Sequence, residues 1–170
     1  MFKFIAGYLY TQLQTTVHRF WVFYYTVKFC IKNKEFKNKW WLIRRSLTHD
    51  LSKYSWAEAK GFAITIFDLK SSVYGSDEYK ELLAKLGPGL AHHYKHNSHH
   101  PEFWATIEDK TDGFSKMPLW NKIEMVIDWR SATRRHKTGD IMKSLEINQK
   151  RFGYSDEDKK YLTTIAKLVI

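Results

Sequence analysis

The sequence predicts an all-α protein, and three observations carry that expectation. Apolar residues recur at helical spacing along most of the 170-residue chain, and only 3 prolines and 8 glycines interrupt them. Capping signatures stand at the head of several apolar runs. No stretch alternates polar and apolar residues, with β-branched enrichment, for long enough to require a sheet.

The elements follow in order. Residues 3 to 32 form the first helix, in which Val22, Tyr25 and Phe29 follow His18 at i+4, i+7 and i+11, so the histidine faces inward with them. A second helix is expected around Trp40 to Lys53. Ser55-Trp56-Ala57-Glu58 reads as a capping box that opens a third, reaching about Leu69. Ser76, followed by Asp77 and Glu78, starts a fourth, which Gly87-Pro88-Gly89 breaks or kinks. Pro118 suits the first position of a helix running to about His136, whose core is built by Leu119, Trp120, Ile123, Val126 and Ile127. Gly139-Asp140 introduces a further helix that stops at Gly153, and Ser155 with Asp158 caps the last.

Composition bounds the rest. A chain of 170 residues suits a single domain spanning 1–170, and 44% hydrophobic with 16% aromatic residues supply its core. The run FWVFYYTVKFCI is apolar, but His18, Arg19, Thr26 and Lys28 interrupt the region before it reaches the ~18 residues of a membrane span. It reads as a core helix, no secretory cleavage pattern follows it, and no membrane partner is expected. The single Cys30 fits a reducing compartment, so the expected location is the cytoplasm. A net charge of +10 attracts phosphate, whether in nucleotides, nucleic acid or lipid headgroups. Oligomeric state is not legible.

Five of the 8 histidines, His92, His93, His96, His99 and His100, fall within AHHYKHNSHHPEFW. A metal site needs imidazole and carboxylate donors converging from several elements. His18, the adjacent His49 and Asp50, and Asp128 are the candidates outside the cluster. Asp128 borders an apolar helix face, where an ionised carboxylate costs free energy unless it is paired or bound to metal. Glu124, one turn earlier, is expected to be an ordinary surface acid. On a continuous helix Arg45 and Lys53 lie four residues either side of His49, as cations able to hold a phosphate.

The order of His18, then HDLSK, then a middle histidine group, then Asp128 resembles the HD-domain superfamily of metal-dependent phosphohydrolases. HDLSK is similar to the HDIGK and HDLGK forms of its two-metal members, and HHPE to the HHE that supplies further ligands in some. The longer motifs HDLSKYS, HYKHNSHHPEFW, MPLWNKIEMVIDW and RRHKTGDIMKSLEINQKRFGYSD together resemble a small bacterial and phage family of unknown function, over most of residues 18 to 158. At the position where single-metal nucleotidases of the superfamily carry a catalytic glutamate, this chain has Lys53.

The resemblance implies a compact HD-like helical bundle with one or two divalent ions, drawn from Mn, Fe, Zn, Co or Mg. It implies His18, His49, Asp50 and Asp128 as the base site, with His93 and His100 as ligands of a second ion. Helix geometry favours His93 over His92, leaving His96 one turn on; His99 and His100 stay open alternatives in a loop that Pro101 stiffens. Asp50 and Lys53 are the catalytic candidates. Arg45, Lys53, Arg134, Arg135 and Lys137 are the candidates for a small phosphorylated substrate. The implied activity is phosphohydrolysis of a nucleotide or another small phosphorylated compound. Two other classes stand beside it: a two-iron oxygenase using the same ligands, and a basic helical nucleic-acid-binding module without catalysis.

Overall fold

Helix boundaries in this chain follow local chemistry. A computed structural model describes residues 2–73, 75–106, 112–135 and 139–170. Among the described residues it contains helices α1 (Phe2–Lys32), α2 (Lys39–Thr48), α3 (Trp56–Ser71), α4 (Asp77–Leu86), α5 (Pro88–His96), α6 (Pro101–Trp104), α7 (Gly113–Lys116), α8 (Leu119–Ala132), α9 (Ile141–Phe152) and α10 (Asp156–Val169). Two short 3-10 turns, Leu51–Tyr54 and Thr133–Arg135, complete them, and the described residues form no strand. The protein is all-α. No helix among the described residues is long and apolar enough to cross a membrane.

Several expected caps are present. Ser76 Oγ accepts the Tyr79 amide at the head of α4, and Gly87, at φ 47°, ends that helix before Pro88 opens α5. Gly153 takes the left-handed conformation that stops α9, and Ser155 with Asp158 forms a reciprocal capping box on α10.

Elsewhere the chain departs from expectation. The second helix stops at Thr48 because His49 leaves it with an extended ψ of 130°, and Asp50 then turns left-handed, at φ 56° and ψ 20°, a conformation that aspartate tolerates better than most residues. Residues 51–54 then continue as a 3-10 turn, so His49 and Lys53 do not share a regular helix face. Ser55 does head α3, but its side chain makes no capping hydrogen bond, and Glu58 is fully buried instead of reaching back to it. The Pro118 helix ends at Ala132, and Leu119 and Trp120, 48% and 38% exposed, lie outside the core it was expected to build with them.

The chain forms two compact units. The first comprises Met1–Val17 and Asp50–Asn97. Within it α3 packs against α4, α5 and the Leu51–Tyr54 turn, burying Ala59, Ala63, Leu82 and Leu86. Gly7 of α1 meets α3 so closely that a Cβ there would overlap the Ala63 carbonyl oxygen.

The second unit comprises His18–His49 and Ser98–Ile170. Helix α8 packs against α2, α9 and α10 and places Ile123, Met125, Val126 and Ile127 in the core. Leu145 of α9 and Leu162, Ile165, Ala166 and Val169 of α10 belong to the same core. Val22, Tyr25 and Phe29 of α1 join them, as their spacing from His18 predicts. Each such side chain contributes roughly 1.5–3 kcal/mol by leaving water, which gives α1 and α8 a rigid seat for the polar groups between their apolar positions.

Candidate metal centre

Three elements of the second unit bring His18, His49 and Asp128 together. His18 lies mid-way along α1 and is buried; His49 is the residue at which the chain leaves α2, also buried; Asp128 stands on α8. His18 Nε2 is 2.8 Å from Asp128 Oδ1, and His49 Nε2 is 3.5 Å from the same oxygen. One donor atom from each of the three residues lies within 4.8 Å of the other two. Burial pushes the Asp128 carboxyl up, but the hydrogen bonds and positive charge of His18 and His49 outweigh it and hold it well below the usual carboxylate range. Asp128 is therefore a carboxylate, a donor of lone pairs.

Glu124 sits behind this group. It is buried, contrary to the expected surface acid, and its Oε1 lies 3.2 Å from His49 Nδ1 and 3.6 Å from His99 Nδ1. A carboxylate can only accept, so the Glu124 contact puts a proton on His49 Nδ1, and Nε2 is the nitrogen that faces Asp128. Arg45 Nε holds the other Glu124 oxygen at 3.1 Å, and its Nη2 reaches Ser98 Oγ at 3.0 Å. Burial raises the Glu124 carboxyl; the His49 hydrogen bond and the charges of His99, His49 and Arg45 lower it further than that, to below its ordinary value. The sequence held one signal for Glu124. It stands one turn before Asp128, so the two carboxylates share a helix face.

The His99 ring lies tilted against His49 with centroids 4.1 Å apart, and His100 lies tilted against His99 at 4.2 Å. Of these two loop histidines, His99 is the one that reaches Glu124, whereas the resemblance singled out His100.

The first unit repeats the pattern with different residues. Glu58 Oε2 lies 2.9 Å from His93 Nδ1, and His93 Nε2 lies 3.6 Å from Asp50 Oδ1. His92 takes the other Glu58 oxygen at 2.8 Å. His92 and His93 thus point to the same carboxylate, although only His93 is buried and extends to Asp50. Burial raises the Glu58 carboxyl, and hydrogen bonds from His93, His92 and Ser52, with the His93 charge, bring it below its ordinary value. Glu58 was hidden from sequence reasoning by its place in the Ser55 capping pattern. His96 stacks on His92 at 3.9 Å and bonds its main-chain oxygen.

The cationic candidates are placed as follows. Lys53 Nζ is 2.6 Å from Asp50 Oδ2, tied to a carboxylate rather than facing solvent alone. Arg45 supports Glu124. Arg134 stacks its guanidinium on Trp21, 3.8 Å from the ring centroid, and Arg135 is exposed. Lys137 lies outside the described residues.

The donor chemistry fits a metal. Two imidazole nitrogens and one carboxylate oxygen converge, with a second carboxylate on the far nitrogen of one imidazole, the outer support that metal-ligating histidines regularly have. Such a set suits Mn, Fe, Co or Zn better than Mg, which favours oxygen donors and retained waters.

An all-helical chain carrying buried clusters of imidazole and carboxylate is a protein able to hold a metal ion. The chain belongs to DUF5662, a family of unknown function whose sequence profile matches residues 8–170. Comparisons with curated proteins and with solved structures found no match.

Proposed function

We propose that the protein is a metal-dependent phosphohydrolase acting on a small phosphorylated compound. The observation that carries this reading is the convergence of His18 Nε2, His49 Nε2 and Asp128 Oδ1, backed by Glu124 on His49 Nδ1. The motif likeness to HD-domain phosphohydrolases supports it, and so does the basic charge of the chain.

A divalent ion held by these residues supplies a Lewis acid for a phosphoryl oxygen and for water. Glu124 keeps a proton on His49 Nδ1 and fixes the ring's orientation, while the His49 hydrogen bond, with the charges of His99 and Arg45, keeps Glu124 ionised in its buried position. In the first unit Glu58 does the same for His93, aiming its Nε2 toward Asp50. Asp50 and His93 are the ligands proposed for a further ion. Lys53, Arg134 and Arg135 are the proposed cations for substrate phosphate.

The test is elemental analysis of untagged protein, followed by phosphate release from nucleoside mono- and triphosphates and generic phosphoesters with Mn, Fe, Co or Zn added. Metal binding with turnover of at least one phosphoester is expected. No phosphate release with any of these metals overturns the reading.

Two imidazoles with one carboxylate are also the donor set of non-haem iron oxygenases, which favours an iron enzyme as the second reading. Selective retention of iron, together with oxygen consumption and no phosphate release, would establish it instead.

A further inference from the structure

A groove on the second unit, about 350 Å³ in volume, is lined by Phe20, Trp21, Tyr24, Tyr25, Lys28, Arg130 and Arg134. Its lining has four aromatic rings, three cations and no carboxylate. None of these residues belongs to the histidine and carboxylate clusters.

The cations are held against rings. Arg134 lies 3.8 Å from the centroid of Trp21, and Arg130 lies 4.7 Å from that of Tyr25. Cation–π contact fixes the plane of a guanidinium and leaves its edge donors directed outward, the geometry that receives a phosphate or carboxylate. Arg130 spends one donor on Thr133 Oγ1, and Lys28 donates to the main-chain oxygen of Ile170. Both keep further donors. Three like charges on one wall repel, and the Lys28 ammonium is pulled below its ordinary value by desolvation and by the charges of Lys32 and Arg130. An anion in the groove relieves that repulsion.

The rings set the rest of the ligand. Phe20 and Tyr24 are 60% and 46% exposed, so their surfaces remain available to a flat partner. A groove of this volume falls within the ~300–1,000 Å³ of small-molecule sites. Along α1, Trp21 is three residues from His18, a rise of ~4.5 Å.

We infer that this groove binds a planar aromatic anion, a nucleoside monophosphate in type, with the phosphate on Arg130 and Arg134 and the base stacked on the exposed rings. Its role as a substrate subsite rests on the phosphohydrolase reading; its binding does not.

The experiment is isothermal titration of the full chain, treated with chelator to remove metal, using adenosine monophosphate, adenosine and inorganic phosphate as probes. Adenosine monophosphate is expected to bind, and the other two at least about tenfold more weakly, because each offers one half of the recognition. Arg134→Gln and Tyr24→Ala change exposed side chains and are checked for folding by circular dichroism. Each is expected to weaken adenosine monophosphate by about tenfold or more, and raising salt from 50 to 200 mM is expected to weaken it further. Absence of nucleotide binding to wild type, equal binding of adenosine, or unchanged affinity in both variants overturns the inference. Nucleotide binding with no phosphate release under any metal would leave the inference standing and remove the hydrolase reading alone.

Discussion

Glu124 Oε1 lies 3.2 Å from His49 Nδ1, on the opposite side of the imidazole from the nitrogen that faces Asp128. Outer carboxylates in this position typically change metal affinity about 10–100-fold when removed. Glu124→Gln keeps the shape but loses the charge and the unambiguous acceptor. It is expected to lower metal affinity by about that factor while retaining helical content, as measured by competition with a chromogenic chelator. Unchanged affinity would remove Glu124 from the centre.

Asp128→Asn and His18→Ala each delete a donor from the three that converge. Both variants are expected to purify with less than about a tenth of the wild-type metal and to lose the thermal shift on adding manganese or zinc. A wild-type metal content in both would show that the ion, if bound, sits elsewhere.

Acid stability gives an independent reading of Glu58. Its folded value lies below the ordinary one, so its contribution is present above the unfolded glutamate value of ~4.3 and is lost as pH falls through the lower folded value. The melting temperature of metal-free protein is therefore expected to drop as pH goes from about 5 to 3. Glu58→Gln, which cannot titrate, is expected to show a shallower drop across that window. Parallel melting curves for the two proteins would contradict the assignment.

Lys53 and Asp50 form a pair in which both side chains are largely buried, 15% and 1% exposed. Lys53→Ala takes the ammonium from a buried carboxylate that keeps His93 3.6 Å away, so it is expected to cost about 1–3 kcal/mol in a urea melt, with Asp50→Asn in the same background recovering part of it. A loss near zero would mean that water screens the pair.

The fold was legible because it depends on spacing within elements. His18 was placed inward by Val22, Tyr25 and Phe29, and those four residues are buried together. Asp128 was found from the cost of a carboxylate at an apolar border. What spacing could not convey was which distant element a side chain meets. Glu124 read as a surface acid because its partners, His49, His99 and Arg45, lie 75, 25 and 79 residues away in sequence. Glu58 fitted a local rule so well that its histidine partners 34 and 35 residues on had no signal. The extended His49 and the left-handed Asp50 after it also escaped, and together they break the helix that was to align Arg45, His49 and Lys53.

Gly7 will mislead anyone who ranks positions by how seldom they vary. No side chain fits there, since a Cβ would overlap the Ala63 carbonyl oxygen, and Gly113 stands in the same relation to the Pro101 carbonyl. In a saturation library sorted only for soluble expression, substitutions at these two glycines should be among the first to vanish, at a cost of about 1–3 kcal/mol or more. Asp128→Asn, which keeps the shape of the pair, should persist in that sort, because stability gives little reason to prefer the charged residue there. Sorting the same library twice, once for expression and once for metal retention, would separate residues kept for space from residues kept for chemistry.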